Sequence, residues 1–243
     1  MISLGVVCED HPDFQTATTL TTRTVAEFLS QSVEATAQQI KYHGHESSRD
    51  FLKWSGMPKE NFGMALQGLF DGKPGAPDAY TGRRALYLFR KLKDQPQAVL
   101  LIRDVDREPK RRIGLNQARL DHEKRGGRFG VIIALANPKR EAWILSGFKA
   151  ENEAEIELHK EETKRLKFDP TKEPERLSAR PHDSPHNIKP VVAKLTQNDK
   201  AREHRCVSQT KLSDLRENGK DTGLPEFLDE IKERLLPIFA APH

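Results

Sequence analysis

The sequence predicts an α/β fold with a mainly parallel sheet flanked by helices. Three short apolar runs, at about 2–8, 98–103 and 129–136, have the length and the β-branched content of buried strands. Between them, apolar residues recur every three or four positions, which is the pattern of amphipathic helices. Strands that alternate with helices in this way are typical of a parallel sheet with both faces covered.

The helices around these strands are predicted from the same periodicity. The first is expected over about 18–40, and another over about 81–92 leads into the second strand. A helix over 111–125 is followed by Gly126 and Gly127, residues that commonly end helices. After the third strand, Asn137 and Pro138 fit an N-cap followed by Pro at the first helical position.

The remaining segments complete a Rossmann-like domain that is expected to span 1–243. Residues 42–95 are rich in glycine and are expected to form a helical insertion after the first strand and helix. Residues 150–243 are expected to form a C-terminal helical extension, which ends in an amphipathic helix at about 224–239.

Composition restricts the class of protein. The chain has 243 residues, enough for one large domain, with 36% hydrophobic and 31% charged residues and a net charge of +4. This weak basic excess does not by itself indicate nucleic-acid binding. Two cysteines provide no disulfide framework, and neither a basic leader nor a long apolar run is present, so we expect a cytoplasmic protein.

Acidic residues follow the predicted strands or begin the next helix. Glu9 and Asp13 come after the first strand, Asp104 and Asp106 after the second, and Glu141 after the third. In an open α/β sheet, these positions converge at the carboxyl ends of the strands. Carboxylates gathered there without matching cations would repel one another, so the simplest stable arrangement places a hard cation such as Mg²⁺ or Mn²⁺ between them.

Basic residues follow the second acidic pair directly. Arg107, Lys110, Arg111 and Arg112 open a segment with few opposing acids, where a phosphate-bearing substrate would lie. The alternative is an ordinary solvated helix face.

Structural alternatives exist for several acidic residues. Asp104 and Asp13 are also suitable helix caps, and Glu141 would stabilise a helix N-terminus through the macrodipole. Further along, His182, His186, His204 and Cys206 contain zinc-ligand residue types, but their spacing matches no strong zinc motif.

The run Glu9-Asp10-His11-Pro12-Asp13 and the pair Asp104-Val105-Asp106, in this order, resemble the motifs of Toprim domains. These are the metal-dependent modules of topoisomerases, primases and OLD-type nucleases. The segment around Glu141 is similar to the third acidic position of small stand-alone Toprim proteins. The family's usual Gly after the first Glu is Asp10 in this chain, and the long separation from Glu9 to Asp104 is the reason to expect an insertion.

The resemblance implies a metal-dependent nuclease that acts on DNA or RNA, as the effector of an anti-phage defence system working with a separately encoded ATPase. Asp104 and Asp106 would hold Mg²⁺, and Glu9 would be a further ligand or the general acid/base. Asp13 and Glu141 would be outer or second-metal ligands. Independently of the resemblance, Lys139 lies beside Glu141, where a cation would stabilise the charge on a pentavalent phosphate; the alternative is an ordinary solvated helix start.

Other functions stay open at this stage. One is a haloacid-dehalogenase-type phosphatase, which also places an Asp-x-Asp motif after an apolar strand, and a metal-dependent glycosyltransferase is a more distant possibility. Another is a non-catalytic Toprim subunit of a larger complex. The chain contains no G-x-x-x-x-G-K-[ST] segment, so any ATP-driven step needs a partner.

Overall fold

The computed structural model describes residues 1–46, 48–57, 68–179 and 184–240. The chain divides into two compact units. The first contains the described parts of Met1–Arg103 and Glu108–Ala134 together with the residues from Phe227 onward. The second contains Asp104–Arg107 and the described parts of Leu135–Glu226.

The first unit is built on a parallel sheet. Its strands are β1 (Ile2–Cys8), β2 (Ile40–His43), β3 (Leu52–Lys53), β4 (Ala98–Asp104) and β5 (Gly130–Ala136), of which Asp104 and the last two residues of β5 are assigned to the second unit. Four of them lie in the order β2-β1-β4-β5, and β3 also pairs with β1. β1 is parallel to β2, β3 and β4, which confirms the predicted α/β class with a mainly parallel sheet. The observed bounds of β1, β4 and β5 differ from the expected strands by at most one residue.

Helices accompany this sheet. They are α1 (His11–Leu29), α2 (Val33–Ala37), α3 (Ala79–Arg90), α4 (Arg111–Lys124), the end of α10 (Leu224–Arg234) and α11 (Leu236–Ala240). The central strands are buried along nearly their whole length, since Leu4, Val99, Leu100 and Ile132 have no exposed surface. Burial on both faces explains why these strands are uninterrupted apolar runs rather than alternating ones.

The first helix differs from its prediction. It begins at His11, because the Asp10 side chain accepts a hydrogen bond from the Asp13 backbone N–H at 3.2 Å and caps it. It ends at Leu29, where Ser30 is left-handed with φ 51°. The predicted continuation to residue 40 is wrong, because the chain turns into the short helix α2 and then into β2.

Residues 42–95 also differ from the expected helical insertion. This stretch holds the rest of β2, strand β3, a 3-10 turn at Trp54–Gly56 and α3. Two of its segments therefore join the sheet beside β1. β2 and β3 are only four and two residues long, too short to produce a clear periodic signal. The part at 58–67 lies outside the described residues.

The second unit consists largely of helices around α5 (Arg140–Ser146). The others are α6 (Glu153–Leu166), α7 (Ile188–Leu195), α8 (Lys200–Ser208), α9 (Leu212–Asn218) and the start of α10. Trp143 is 1% exposed, and its indole N–H donates to the Thr222 carbonyl at 2.9 Å. α5 is thereby fixed within the unit by both packing and a buried hydrogen bond.

The entry into α5 is not the predicted one. The Asn137–Pro138 peptide bond is cis, and the helix begins at Arg140 with Lys139 as its N-cap residue. Pro138 therefore belongs to the turn before the helix rather than to its first position.

In the described ranges, no helix combines the length and the apolar character needed to cross a lipid bilayer.

Candidate functional site

Asp104, Asp106 and Lys139 form a charged cluster in the second unit. Asp104 ends β4, and Asp106 follows two residues later with a left-handed backbone, φ 53°. The Lys139 ammonium lies 2.5 Å from Asp106 Oδ1 and 3.7 Å from Asp104 Oδ2. The three side chains are only 13% to 27% exposed. One cation is thus held between two half-buried carboxylates, and we call these residues the Asp-Lys cluster.

Backbone hydrogen bonds hold the Asp-Lys cluster in place. The Asp106 N–H donates to the Pro138 carbonyl at 2.8 Å. The Arg140 N–H donates to Asp104 Oδ1, also at 2.8 Å. Asp104 therefore satisfies an N–H at the start of α5, a helix end where a negative charge is favourable. The two segments that supply the carboxylates and the ammonium are joined to each other rather than meeting only through side chains.

The charge state of Lys139 follows from its surroundings. Burial alone would lower the pKa of this ammonium, but the hydrogen bond to Asp106 and the charges of Asp104, Asp106 and Glu141 raise the pKa above its ordinary value. The side chain is therefore a permanent cation at neutral pH. The Lys139 ammonium therefore lies between Asp104 and Asp106, where the sequence predicts a metal ion.

Glu141 lies in the first turn of α5 and is 9% exposed. The Arg140 guanidinium is 3.7 Å from its Oε1 and 3.6 Å from Oε2 of Glu203 on α8. Glu203 is 6% exposed and was not among the predicted site residues. No pattern around residue 203 distinguishes it from the many exposed Glu residues, so the sequence carried no signal for it.

Glu9 belongs to the first unit, and its partner there is Arg103. The two form a short ion pair. The Arg103 guanidinium also lies 3.4 Å from Asp78 Oδ2 and 5.5 Å from the centre of the Trp54 ring. Sequence reasoning missed Arg103 because it was treated only as the end of a strand. Its position directly before Asp104 is a signal that could have identified it.

Asp13 is buried near the start of α1, with 8% exposure. The alternative prediction that it caps this helix is wrong, because Asp10 is the cap. Burial first, and then the charges of Asp13 and Asp10, raise the pKa of the neighbouring Cys8 thiol. Cys8 is therefore an unreactive thiol at neutral pH.

The predicted acidic residues match the ligand set of a divalent cation only in part. The assumption that the carboxylates have no matching cations is wrong, since Glu9, Asp104, Asp106 and Glu141 each lie near an Arg or Lys. In the part of the chain that the structure describes, no three His, Cys, Asp or Glu side chains are grouped so that they could hold a metal ion. Mg²⁺, however, is commonly held by one or two carboxylates together with water and substrate phosphates. Asp104 and Asp106, which already enclose an ammonium, fit one ion of this kind.

The predicted phosphate-binding residues divide into two groups. Arg107 and Lys110 are exposed and Arg112 is half-buried, so their side chains reach solvent. Arg111 instead lies 2.9 Å from Asp78 Oδ2 and is 15% exposed. Asp78 precedes α3 with φ 66°, and so Arg111 has a structural partner in the first unit.

A cavity of about 490 Å³ opens beside the Asp-Lys cluster in the second unit. Asp106 and Arg107 contribute to it, together with Asn137, Pro138, Glu175, Leu177, Ser178 and Ala179. Oε2 of Glu175 is buried and has no hydrogen-bond partner. Glu175 is a further carboxylate that sequence reasoning missed. It lies in a three-residue 3-10 turn, Pro174–Arg176, which is too short to give a periodic signal.

Comparisons with known proteins add no assignment to this geometry. No protein-family model matches the chain. No curated protein and no solved structure matches it significantly. The resemblance to Toprim domains therefore stays a prediction.

In the histidine-rich segment, His182 lies outside the described residues. Cys206 is buried, and burial raises the pKa of its thiol to about 11.

Proposed function

We propose that this chain is a Mg²⁺- or Mn²⁺-dependent nuclease that hydrolyses phosphodiester bonds of DNA or RNA at the Asp-Lys cluster. The observation that carries the proposal is the pair of half-buried carboxylates, Asp104 and Asp106, held around one cation beside an open cavity. A divalent ion bound by this pair would polarise a phosphoryl oxygen and lower the pKa of a bound water.

The protein's own groups supply the rest of the proposed chemistry. Asp104 is oriented by the N–H of Arg140, and Asp106 by its backbone hydrogen bond to Pro138. Lys139 can exchange its carboxylate contacts for the oxygens of a bound phosphate and stabilise the charge that develops there. Arg107, exposed at the rim of the same cavity, can bind an adjoining phosphate.

The other predicted residues have less support. Glu141 lies in the same unit as the Asp-Lys cluster but is paired with Arg140, so its proposed role is to tune the charge of the cluster. Glu9 belongs to the first unit and is paired there with Arg103, so its role as ligand or general acid/base stays a prediction. Asp13 also belongs to the first unit, where it is 8% exposed, and its role as an outer or second-metal ligand stays a prediction.

The biological setting of the proposal comes from the Toprim resemblance alone. It implies the effector of an anti-phage defence system that acts with a separately encoded ATPase. The chain lacks a phosphate-binding loop of the G-x-x-x-x-G-K-[ST] type, so a partner would have to supply any step driven by ATP.

A cleavage assay tests the proposal. The full chain is incubated with Mg²⁺ or Mn²⁺ and with labelled duplex DNA, single-stranded DNA and RNA. We expect cleavage by the wild type, a loss of about 100-fold or more in Asp104→Asn and Asp106→Asn, and no loss in the control Asp94→Asn. Asp94 is an exposed residue after α3.

Each alternative outcome has a defined meaning. Release of phosphate from a small phosphomonoester without nucleic-acid cleavage would favour the phosphatase. Saturable metal binding with no turnover would favour the non-catalytic subunit. Cleavage that survives both Asp substitutions would exclude the Asp-Lys cluster as its source.

A further inference from the structure

Strands β1 and β2 bring a serine and a histidine together in the first unit. Ser3 lies on β1 and His43 ends β2, and the register of the two strands places His43 opposite Gly5. Because side chains alternate between the two faces of a strand, those of Ser3 and His43 lie on the same face of the sheet. His43 is therefore the diagonal neighbour of Ser3, at a spacing that a long side chain can span.

The two side chains are directly hydrogen-bonded. Ser3 Oγ lies 2.7 Å from Nε2 of His43, and both residues are half-buried. Nδ1 of the same ring lies 2.6 Å from the Gly44 carbonyl oxygen, which can only accept. In the neutral imidazole, Nδ1 therefore carries the proton, and Nε2 accepts the hydrogen bond that the Ser3 hydroxyl donates. A hydroxyl, a base and a group that orients the base follow one another as nucleophilic catalysis requires.

Packing holds the imidazole in this position. Phe89 is fully buried, and its ring centre lies 6.1 Å from that of His43. Phe89 also covers Gly5, where an added Cβ would lie 2.6 Å from the Phe89 ring. The missing side chain at Gly5 thus provides the space in which the two rings pack. His43 is held by Phe89 on its ring and by hydrogen bonds at both of its nitrogens.

A side-chain amide lies beside the same serine. The Ser3 N–H donates to Oε1 of Gln97 at 2.7 Å, and the Gln97 backbone N–H donates to the Ser3 carbonyl at 2.9 Å. Gln97 is exposed, and within the described ranges its Nε2 has no protein partner. Side-chain amide donors of this kind stabilise the negative oxygen that forms when a serine attacks an ester.

A structural role accounts for part of this arrangement, since a hydrogen bond between side chains of β1 and β2 stabilises the pairing of these strands. Either tautomer of His43 would satisfy the Ser3 hydroxyl in that role. The Gly44 carbonyl selects the tautomer in which Nε2 lacks a proton, and this is the tautomer that a general base needs.

We propose that Ser3 is the nucleophile and His43 the general base of an esterase site. Ser3 Oγ attacks the carbonyl carbon of a carboxylic ester while its proton moves to Nε2 of His43. The bond between the carbonyl carbon and the leaving oxygen then breaks, and the leaving alcohol takes that proton. Water attacks the acyl group on Ser3 and gives one proton to His43. The carboxylic acid is released, and the proton returns to Ser3 Oγ.

The group that orients His43 limits the substrates. A backbone carbonyl is neutral, so it stabilises an imidazolium less than the carboxylate of a Ser-His-Asp triad does. We therefore expect slow turnover of small esters with good leaving groups and no cleavage of amides. The site is additional to the proposed nuclease site, because Ser3, His43 and Gln97 belong to the first unit and no residue of the Asp-Lys cluster takes part.

Covalent trapping of the serine tests the proposal. The full chain is incubated with a fluorophosphonate, and the adduct, which forms with loss of fluoride, is located by peptide mass spectrometry. We expect one adduct, on Ser3, and release of p-nitrophenol from p-nitrophenyl acetate. Ser3→Ala should reduce both to the background without protein, and His43→Gln should slow both about 100-fold, because the general base is lost.

Three control variants isolate the site. Ser55→Ala and His11→Gln each remove an exposed residue of the same type elsewhere in the first unit and should leave both readouts unchanged. Asp106→Asn should also leave them unchanged, which separates this site from the proposed nuclease site.

Locating the adduct in the wild type decides the question even if a variant fails to fold. An unlabelled Ser3, or labelling spread over several exposed serines, would overturn the proposal. So would equal labelling of Ser3 in the wild type and in His43→Gln.

Discussion

Replacing Lys139 with Met removes the cation of the Asp-Lys cluster and keeps a side chain of similar length. The ammonium lies 2.5 Å from Asp106 and 3.7 Å from Asp104. Breaking a fully buried pair costs about 3–5 kcal/mol, and breaking an exposed one costs about 0–1 kcal/mol. With exposures of 13% to 27%, we expect an intermediate loss of about 2 kcal/mol without metal.

Magnesium should reverse this loss if the cluster is a metal site. Binding to the folded state alone stabilises a protein by about 2.7 kcal/mol at a ligand concentration 100 times the dissociation constant. In the wild type, the ion must displace the Lys139 ammonium, whereas in Lys139→Met no ammonium competes with it for the two carboxylates. Mg²⁺ should therefore raise the melting temperature of Lys139→Met by more than that of the wild type.

The assay is thermal unfolding with increasing MgCl₂, with NaCl at matched ionic strength to account for screening. Lys149→Met is the control, since Lys149 is paired with Asp214 at 2.5 Å but is 61% exposed. It should melt close to the wild type and gain nothing specific from Mg²⁺. The reasoning is refuted if Lys139→Met is as stable as the wild type, or if Mg²⁺ stabilises both Met variants equally.

Three further predictions concern the stability of the second unit. Arg202→Met leaves Glu155 buried without its partner at 2.8 Å, so the free energy of unfolding in denaturant should fall by about 3–5 kcal/mol. Gly147→Ala would place a Cβ 2.0 Å from the Cys206 carbonyl oxygen and should cost at least about 2 kcal/mol by the same measurement. Burial would raise the pKa of Asp169, but hydrogen bonds from His159 and Thr171 lower it to about 2. The contribution of ionised Asp169 to the free energy of unfolding is therefore present above about pH 4 and is lost as the pH falls towards 2. After a discount for 33% exposure it is about 1 kcal/mol, and Asp169→Asn should flatten this part of the stability–pH curve.

Clear results would contradict each of these stability predictions. An Arg202→Met protein that unfolds at the wild-type denaturant concentration would show that the buried ion pair contributes nothing net. A Gly147→Ala protein of unchanged stability would mean that the helix carrying Cys206 shifts at no cost. A wild-type acid profile in Asp169→Asn would show that other carboxylates govern this pH range.

The sequence predicted the central sheet because its strands are buried on both faces. β1, β4 and β5 are each seven residues long and mostly apolar, which is the pattern of a strand buried on both faces. β2 and β3 escaped prediction because their placement depends on pairing with β1 rather than on their own residues. Tertiary context of this kind is not encoded in local periodicity.

The acids and the lysine of the candidate site were predictable from the sequence, whereas the arginine partners of the other acids were not. Asp104, Asp106 and Lys139 were expected near one another, because they follow neighbouring strands of one sheet. The partners of Glu9 and Glu141 were not expected, since an arginine beside an acid in sequence says little about which carboxylate it faces in the fold. Arg103 lies next to Asp104 in sequence but pairs with Glu9 and Asp78. Arg140 lies next to Glu141 and is also close to Glu203.

Direct measurement of Mn²⁺ binding by electron paramagnetic resonance is the sharpest test of the metal site. The account predicts saturable binding of one Mn²⁺ by the wild type and by Asp94→Asn, with binding weakened at least about tenfold in Asp104→Asn and Asp106→Asn. Absent or unsaturable Mn²⁺ binding by the wild type, or equal binding by all four proteins, would contradict it.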